Sequence, residues 1–315
     1  VETIFQVIDL ASRYKINKIH LHLSDDQGFR LEILKWPRLT SIGAQSAVGG
    51  GAGGYYTQED YKRIVKYASA RYITIVPEFD LPGHSHAMIA AYPFLRGINS
   101  QIPGGEVKRV GTAKDEIPLY TGIDVGFSCI DLSSERTISF VKDIFEEVST
   151  ISPGRYIHLG GDEGFACPRA DGSFSKFIGR ISNIIRSLGK VPIGWQETAG
   201  HGPAYQQLWN TGGGHSSGDT KTPTIFSPAS KTYLDQKYDY HSNTPGLSWA
   251  GPVSLRQAYE WDPSDFSNRP TVGIEAALWT ETVDTVEKLF LMLLPRLAAV
   301  AEVAWSDPSL KSFTS

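Results

Sequence analysis

Apolar positions along this chain alternate between a helical and an extended period. Val1 to Tyr14 repeats them at helical spacing, and Ile19-His20-Leu21-His22-Leu23 then reads as a strand ending at Asp25-Asp26. Thr57 to Ala70 is predicted helical, with Thr57 as N-cap and Asp60 in capping-box position. A strand over Ile73 to Asp80 runs into the turn Pro82-Gly83-His84, and Ser133 to Ser149 is predicted as a helix. The strand before Asp162, a helix over Phe174 to Leu188 and a strand over Val191 to Trp195 follow. Further strands are expected at Gln206–Trp209, Thr224–Ser227 and Thr271–Trp279, and one long apolar helix over Asp284 to Trp305. Strands separated by helices pack as a parallel sheet. The count favours an α/β fold closed as a (β/α)8 TIM barrel. About seven strands are found where the barrel needs eight. Because the chain enters on a helix, the first strand is the one expected to be missing. Residues 1–315 then form one N-terminally truncated barrel, with no second domain. The long loops Gly97–Phe127 and Thr211–Pro223 are expected to be functional or mobile.

Composition narrows the classes. With 41% hydrophobic residues, 315 residues can fill one large core. No run approaches the roughly 18 apolar residues of a membrane span. A net charge of −4, with no basic stripe, argues against nucleic acid as a partner. Cys129 and Cys167 have no metal-ligand spacing and read as free buried thiols, with one disulfide left open. The segment Gly49 to Gly54 lacks the Lys-Ser/Thr of a phosphate loop and reads as a flexible connection. Val1 is no initiator Met and opens no signal sequence, so a processed or truncated chain is expected.

Ile157-His158-Leu159-Gly160-Gly161-Asp162-Glu163-Gly164 carries the main chemical signal. Two adjacent acids at the end of a buried strand are costly unless paired or used. An acidic turn followed by an N-cap acid is the ordinary alternative. Polar or aromatic residues recur, however, at nearly every strand end: Asp25, Asp80 and His84, Asp162 and Glu163, Trp195, Trp209, Tyr233 and Asp235, Trp279 and Glu281. That repetition describes the active face of a barrel. His22, His84, His86 and His158 admit a metal reading, but no H-E-x-x-H pair occurs, so no metal or cofactor is expected. Tryptophans interleaved with acids fit a sugar site better.

The segments His20 to Arg30, Pro77 to His84, and His158 to Glu163 resemble glycoside hydrolase family 20, the β-N-acetylhexosaminidases. Gly194-Trp195-Gln196-Glu197, Thr232-Tyr233-Leu234-Asp235, Ala277-Leu278-Trp279-Thr280-Glu281 and Pro295-Arg296-Leu297-Ala298-Ala299 continue the match in family order. Ordinary retaining glycosidases place two carboxyls about 5–5.5 Å apart, whereas this family uses the substrate's own acetamido oxygen as nucleophile. The resemblance implies Glu163 as general acid and base, Asp162 as the group that orients the acetamido N–H, and Tyr233 as the donor to its oxygen. Trp195, Trp209 and Trp279 would wall the sugar pocket, although barrel-top packing is an equally ordinary role for them. Asp235 and Glu281 would accept from sugar hydroxyls, and Trp249 would form a platform for the next sugar. Asp25 and His84 would tune the acid, while His158 is expected to be structural.

One departure stands out. The family's sugar-gripping Arg would align just upstream of Val1, so the missing strand and the missing Arg are read as one absence from a fragment. The implied activity is exo-acting release of terminal GlcNAc or GalNAc from an oligosaccharide or glycoconjugate, through an oxazolinium intermediate. A disaccharide-releasing relative and a catalytically impaired carbohydrate-binding protein are the alternatives. Secretion is expected from the family alone.

Overall fold

The computed structural model describes residues 1–110, 116–211, 221–241, 243–266 and 268–314. Segments 111–115 and 212–220 of the two long loops lie outside the described residues. The chain divides into two units, Val1–Ser12 with Asn17–Ala204, and Arg13–Ile16 with Tyr205–Ser315.

In the first unit, strands β1 (Lys18–His22), β2 (Thr74–Glu78), β3 (Tyr156–His158) and β4 (Val191–Trp195) pair in that order, all parallel. Helices α1 (Glu2–Arg13), α2 (Gln58–Ser69), α3 (His86–Ala91), α4 (Glu135–Ile151) and α5 (Ser173–Ser187) alternate with them. The start of α2 follows its sequence signature: Thr57 Oγ1 accepts the Asp60 N–H at 3.0 Å, and Asp60 accepts the Thr57 N–H at 3.2 Å. Along α4, Ile138, Val141, Ile144, Phe145 and Val148 are buried at helical spacing. Each such side chain contributes about 1.5–3 kcal/mol.

Register decides which polar groups meet. His22 lies opposite Glu78, Glu78 opposite His158, and His158 opposite Ile193, so one row across the sheet collects two imidazoles around a carboxylate. His20 lies two residues before His22, which returns it to the same face.

Cys129 and Cys167 are joined in a disulfide, which corrects the expectation of free thiols. Their spacing of 38 residues carries no sign of the pairing, because the fold alone brings the two Cα atoms to 5.3 Å. The bridge ties the segment before α4 to the loop that follows Glu163.

The second unit contains β5 (Tyr205–Leu208), β6 (Thr224–Phe226) and β7 (Thr271–Ile274), again parallel, with α6 (Leu255–Tyr259), α7 (Val286–Leu293) and α8 (Arg296–Trp305). Leu208, Phe226, Trp261 and Val303 form a core cluster there. Two expectations are corrected. Strand β7 stops at Ile274 instead of running to Trp279; beyond it Ala277 pairs with Tyr233, a different neighbour. The long helix over Asp284 to Trp305 is two helices. Pro295 has no N–H to continue the first and pushes Leu294 into an extended conformation, φ −106° and ψ 142°.

Candidate active site

In the first unit, strand ends and the loops after them build a chain of opposite charges. Glu78, the last residue of β2, is buried among His20 Nε2 at 2.9 Å, His22 Nδ1 at 2.8 Å and His158 Nδ1 at 3.1 Å. It also accepts the Trp195 indole N–H at 2.8 Å. Burial alone would raise this carboxyl, but the three imidazoles hold it well below the carboxylate range. His20, Glu78 and His158 lie close enough to enclose a cation. The Trp195 indole N–H already donates to this carboxylate, however, and an indole offers a cation no ligand.

His22 passes the charge onward. Its Nδ1 faces Glu78 and its Nε2 lies 3.1 Å from Asp25 Oδ2, so both ring nitrogens carry protons. Burial pulls its pKa down, yet the two carboxylates raise it to about 10. Asp25 accepts in turn from His84 Nδ1 at 2.9 Å. Burial opposes ionisation of Asp25, and His84 and His22 overcome it, holding the group below its ordinary range. The other face of His84 looks toward Glu163 Oε2 at 3.5 Å and Asp162 Oδ2 at 3.8 Å. Burial disfavours the imidazolium, but Asp25, Asp162 and Asp80 raise the pKa of His84 well above its usual value. The pairing of Asp25 with His84, and of His84 with the two acids, is therefore a geometric fact.

Backbone strain marks the same residues. His84 (φ +47°) and Glu163 (φ +40°) are non-glycine residues in the left-handed region. Each costs about 1–3 kcal/mol unless its surroundings hold it there. Gly160 (φ +76°) and Gly161 (φ +107°) explain the double glycine. A Cβ on Gly160 would sit 1.9 Å from Asp80 Oδ1, and one on Gly161 would sit 2.1 Å from Thr198 Cγ2. Trp195 is 1% exposed and meets the His158 ring edge-on, with centroids 5.0 Å apart. Its position fits the packing role that the sequence also allowed.

The second unit assembles aromatics. Trp249 stands edge-on to Trp209 and to Tyr233, with centroids 5.9 Å apart in both pairs, and Tyr233 lies 6.1 Å from Trp279. Trp209 and Tyr233 are buried, whereas Trp249 is 56% exposed. Asp235 is buried beside this group and accepts from Gln236 Nε2 at 2.8 Å. Burial first, then the nearby charge of Glu281, raises its pKa to about 7.

Sequence reading missed three contributors. Glu78 was hidden because it belongs to a strand otherwise read as apolar; a charge inside such a strand must find partners, and that was its only signal. His22 was noted as a candidate ligand and not as the bridge between two acids. Arg296, fully buried, donates to the carbonyls of Leu234 at 2.6 Å, Gln236 at 2.7 Å, Val253 at 2.9 Å and Met292 at 3.1 Å. It thereby fixes the backbone on both sides of Asp235.

Comparison with known proteins bears on the family and the fold. The family profile described as glycosyl hydrolase family 20, catalytic domain, matches residues 1–308. A β-N-acetylhexosaminidase of Cellulomonas fimi is 38% identical over 98% of this chain and 61% of its own length. The solved β-N-acetylhexosaminidase of Streptomyces coelicolor A3(2) superposes with a TM-score of 0.89 at 39% identity, covering 99% of this chain and 63% of that one. A mutant β-hexosaminidase of Streptomyces plicatus, in complex with its product GlcNAc, gives a TM-score of 0.88 at 39% identity, covering 99% and 62%. This chain thus spans about six-tenths of the length of these relatives. The fold class is that of the (β/α)8 barrel, with seven parallel strands among the described residues. The chain belongs to glycosyl hydrolase family 20, whose catalytic domain it matches over residues 1–308.

Proposed function

We propose that this chain is the catalytic part of an exo-acting β-N-acetylhexosaminidase, removing terminal GlcNAc or GalNAc from oligosaccharides or glycoconjugates. The observation that carries the reading is the chain Asp25–His84–Glu163, with Asp162 against the same imidazole. An acid in contact with a charged imidazole has a defined orientation and a route for proton exchange. Glu163 acts as acid toward the leaving oxygen and then as base toward water. Asp162 orients the acetamido N–H and offsets the positive charge of the oxazolinium intermediate. Tyr233 donates to the acetamido oxygen. Trp209 and Trp279 enclose the sugar, and Asp235 and Glu281 accept from its hydroxyls. Relatives named as β-N-acetylhexosaminidases, one of them with GlcNAc bound, support the substrate class. Export is proposed as well, supported by the Cys129–Cys167 disulfide, since such bonds persist in oxidising compartments.

The test is hydrolysis of a chromogenic β-N-acetylglucosaminide beside the plain β-glucoside. Lacking the acetamido group, the glucoside loses the nucleophile and is expected to be slower by roughly 10⁴–10⁵. A thiazoline mimic of the oxazoline is expected to inhibit. Comparable rates on the two substrates, or a sugar trapped covalently on a carboxylate, would overturn the mechanism. Binding without turnover would favour a lectin-like protein instead.

A further inference from the structure

Asp80 follows β2 and is 1% exposed. Its Oδ1 accepts the Gly161 N–H at 2.8 Å, and its own N–H donates to Ser24 Oγ at 3.0 Å. Its Oδ2 is buried and accepts from no hydroxyl, amide or ring N–H; the same holds for Oδ1 of Asp162. Asp80, His84 and Asp162 each place a side-chain atom within 4.8 Å of the others. Two buried carboxyl groups this close cannot both be ionised, because like charges out of water repel too strongly. Two oxygens that each lack a donor are satisfied together by one proton between them.

We infer that Asp80 is a positioning residue that holds one proton at neutral pH and donates it to Asp162. The proton rests on Asp80 because His84 stands 3.8 Å from Asp162 Oδ2 and favours the charge there. Asp80 itself is served by one backbone N–H. The O–H to O⁻ bond fixes Asp162 through Oδ1 and leaves Oδ2 as its acceptor. Gly160 belongs to the same device, since any side chain there would collide with Asp80 Oδ1.

Titration agrees with the geometry. Burial, and then the Asp162 charge, raise Asp80 well above the carboxylate range; burial also raises Asp162, to about 6. The other charged or titratable groups facing the pair are Glu78 from β2, His84 from the turn after it, and Glu163 and Arg169 after β3. His84 in turn faces Asp25 from the loop after β1. The catalytic consequence rests on the role proposed above for Asp162; the shared proton does not.

The experiment therefore has two readouts, applied to the whole chain. Infrared spectra at pH 7, taken as wild type minus Asp80→Asn, are expected to show the carbonyl band of one protonated, buried carboxylic acid beyond any contributed by Asp235. Kinetics on a chromogenic β-N-acetylglucosaminide separate the roles. Asp80→Ala is expected to lower kcat about 100-fold, as a misplaced reacting group does. Asp80→Asn, whose amide donates the same hydrogen bond, is expected to recover most of that loss and to alter the pH profile of kcat. Equal kcat and equal profiles for Asn and Ala would overturn the positioning role. A difference spectrum without that band would overturn the shared proton even if no substrate were turned over. Should Asp80→Ala fail to fold, the spectra and the profile of Asp80→Asn still decide.

Discussion

The histidine-linked chain of the first unit and Asp235 of the second treat buried charge in opposite ways. In the first, carboxylates and imidazoles alternate from Glu78 through His22, Asp25 and His84 to Glu163, and each charge is stabilised by a neighbour of opposite sign. In the second, the Arg296 guanidinium lies within electrostatic reach of Asp235, but burial and the charge of Glu281 outweigh it and drive the acid toward the protonated form. An alternating chain keeps groups ionised in a low-dielectric setting; an acid next to another acid does not. The first arrangement suits proton transfer and cation stabilisation, the second recognition of neutral hydroxyls and a sugar face.

The largest effect that tests this contrast is on chemistry. Glu163→Gln is expected to lower turnover by roughly 10²–10⁴. The loss should be greatest for substrates with poor leaving groups, which depend most on protonation. Rates compared across aryl leaving groups of different pKa check this, and a uniform loss would remove Glu163 from the acid role.

Stability comes next. The disulfide closes a loop of 38 residues in the first unit, and its loss through Cys129→Ser with Cys167→Ser is expected to cost about 4 kcal/mol on a loop-entropy estimate. In the second unit Arg296→Met strands several buried carbonyls and is expected to cost about 3–5 kcal/mol. Denaturant melts followed by tryptophan fluorescence would measure both. Parity with wild type for Arg296→Met would show that those carbonyls find other donors.

Dependence on pH should separate the units further. His22 is raised from 6.5 to about 10, so its contribution to stability is complete below 6.5 and is lost as pH rises through 10. Asp235 is raised from 3.8 to about 7. An acid that holds its proton more tightly when folded stabilises most below 3.8 and progressively less up to 7. Urea midpoints across this range are expected to have a shallower slope between about pH 4 and 7 in Asp235→Asn, and a shallower alkaline slope in His22→Gln. Unchanged slopes would contradict the pairing on which each rests.

Much of this was legible in the sequence, for identifiable reasons. Strands β1, β2 and β4 and helix α2 carry local signals, namely alternation, flanking turns and a capping box, so they fall close to the predicted bounds. Asp25, His84, Asp162 and Glu163 stand at strand ends, where position alone marks them. What escaped was set by register and by loop return. Nothing local joins Cys129 to Cys167, and nothing local tells that Glu78 faces three histidines, because that grouping exists only when three strands are aligned. The break at Pro295 was visible as a proline, but the long apolar run around it outweighed the signal.

The smallest effect is the sharpest on recognition. Trp249 is more than half exposed, so removing it uncovers little core, and Trp249→Ala is expected to change stability by no more than about 0.5 kcal/mol. Its ring nonetheless stands against Trp209 and Tyr233, which limits the orientations open to it. A held, exposed aromatic face is worth about 0.5–1.5 kcal/mol to a stacked ring, or up to about tenfold in binding. If that ring is the sugar beyond the scissile bond, KM for a chitooligosaccharide should rise up to about tenfold in Trp249→Ala, while KM for an aryl glycoside changes less. A like rise for both substrates would place Trp249 against the terminal sugar; no rise for either would leave it a packing residue of the second unit.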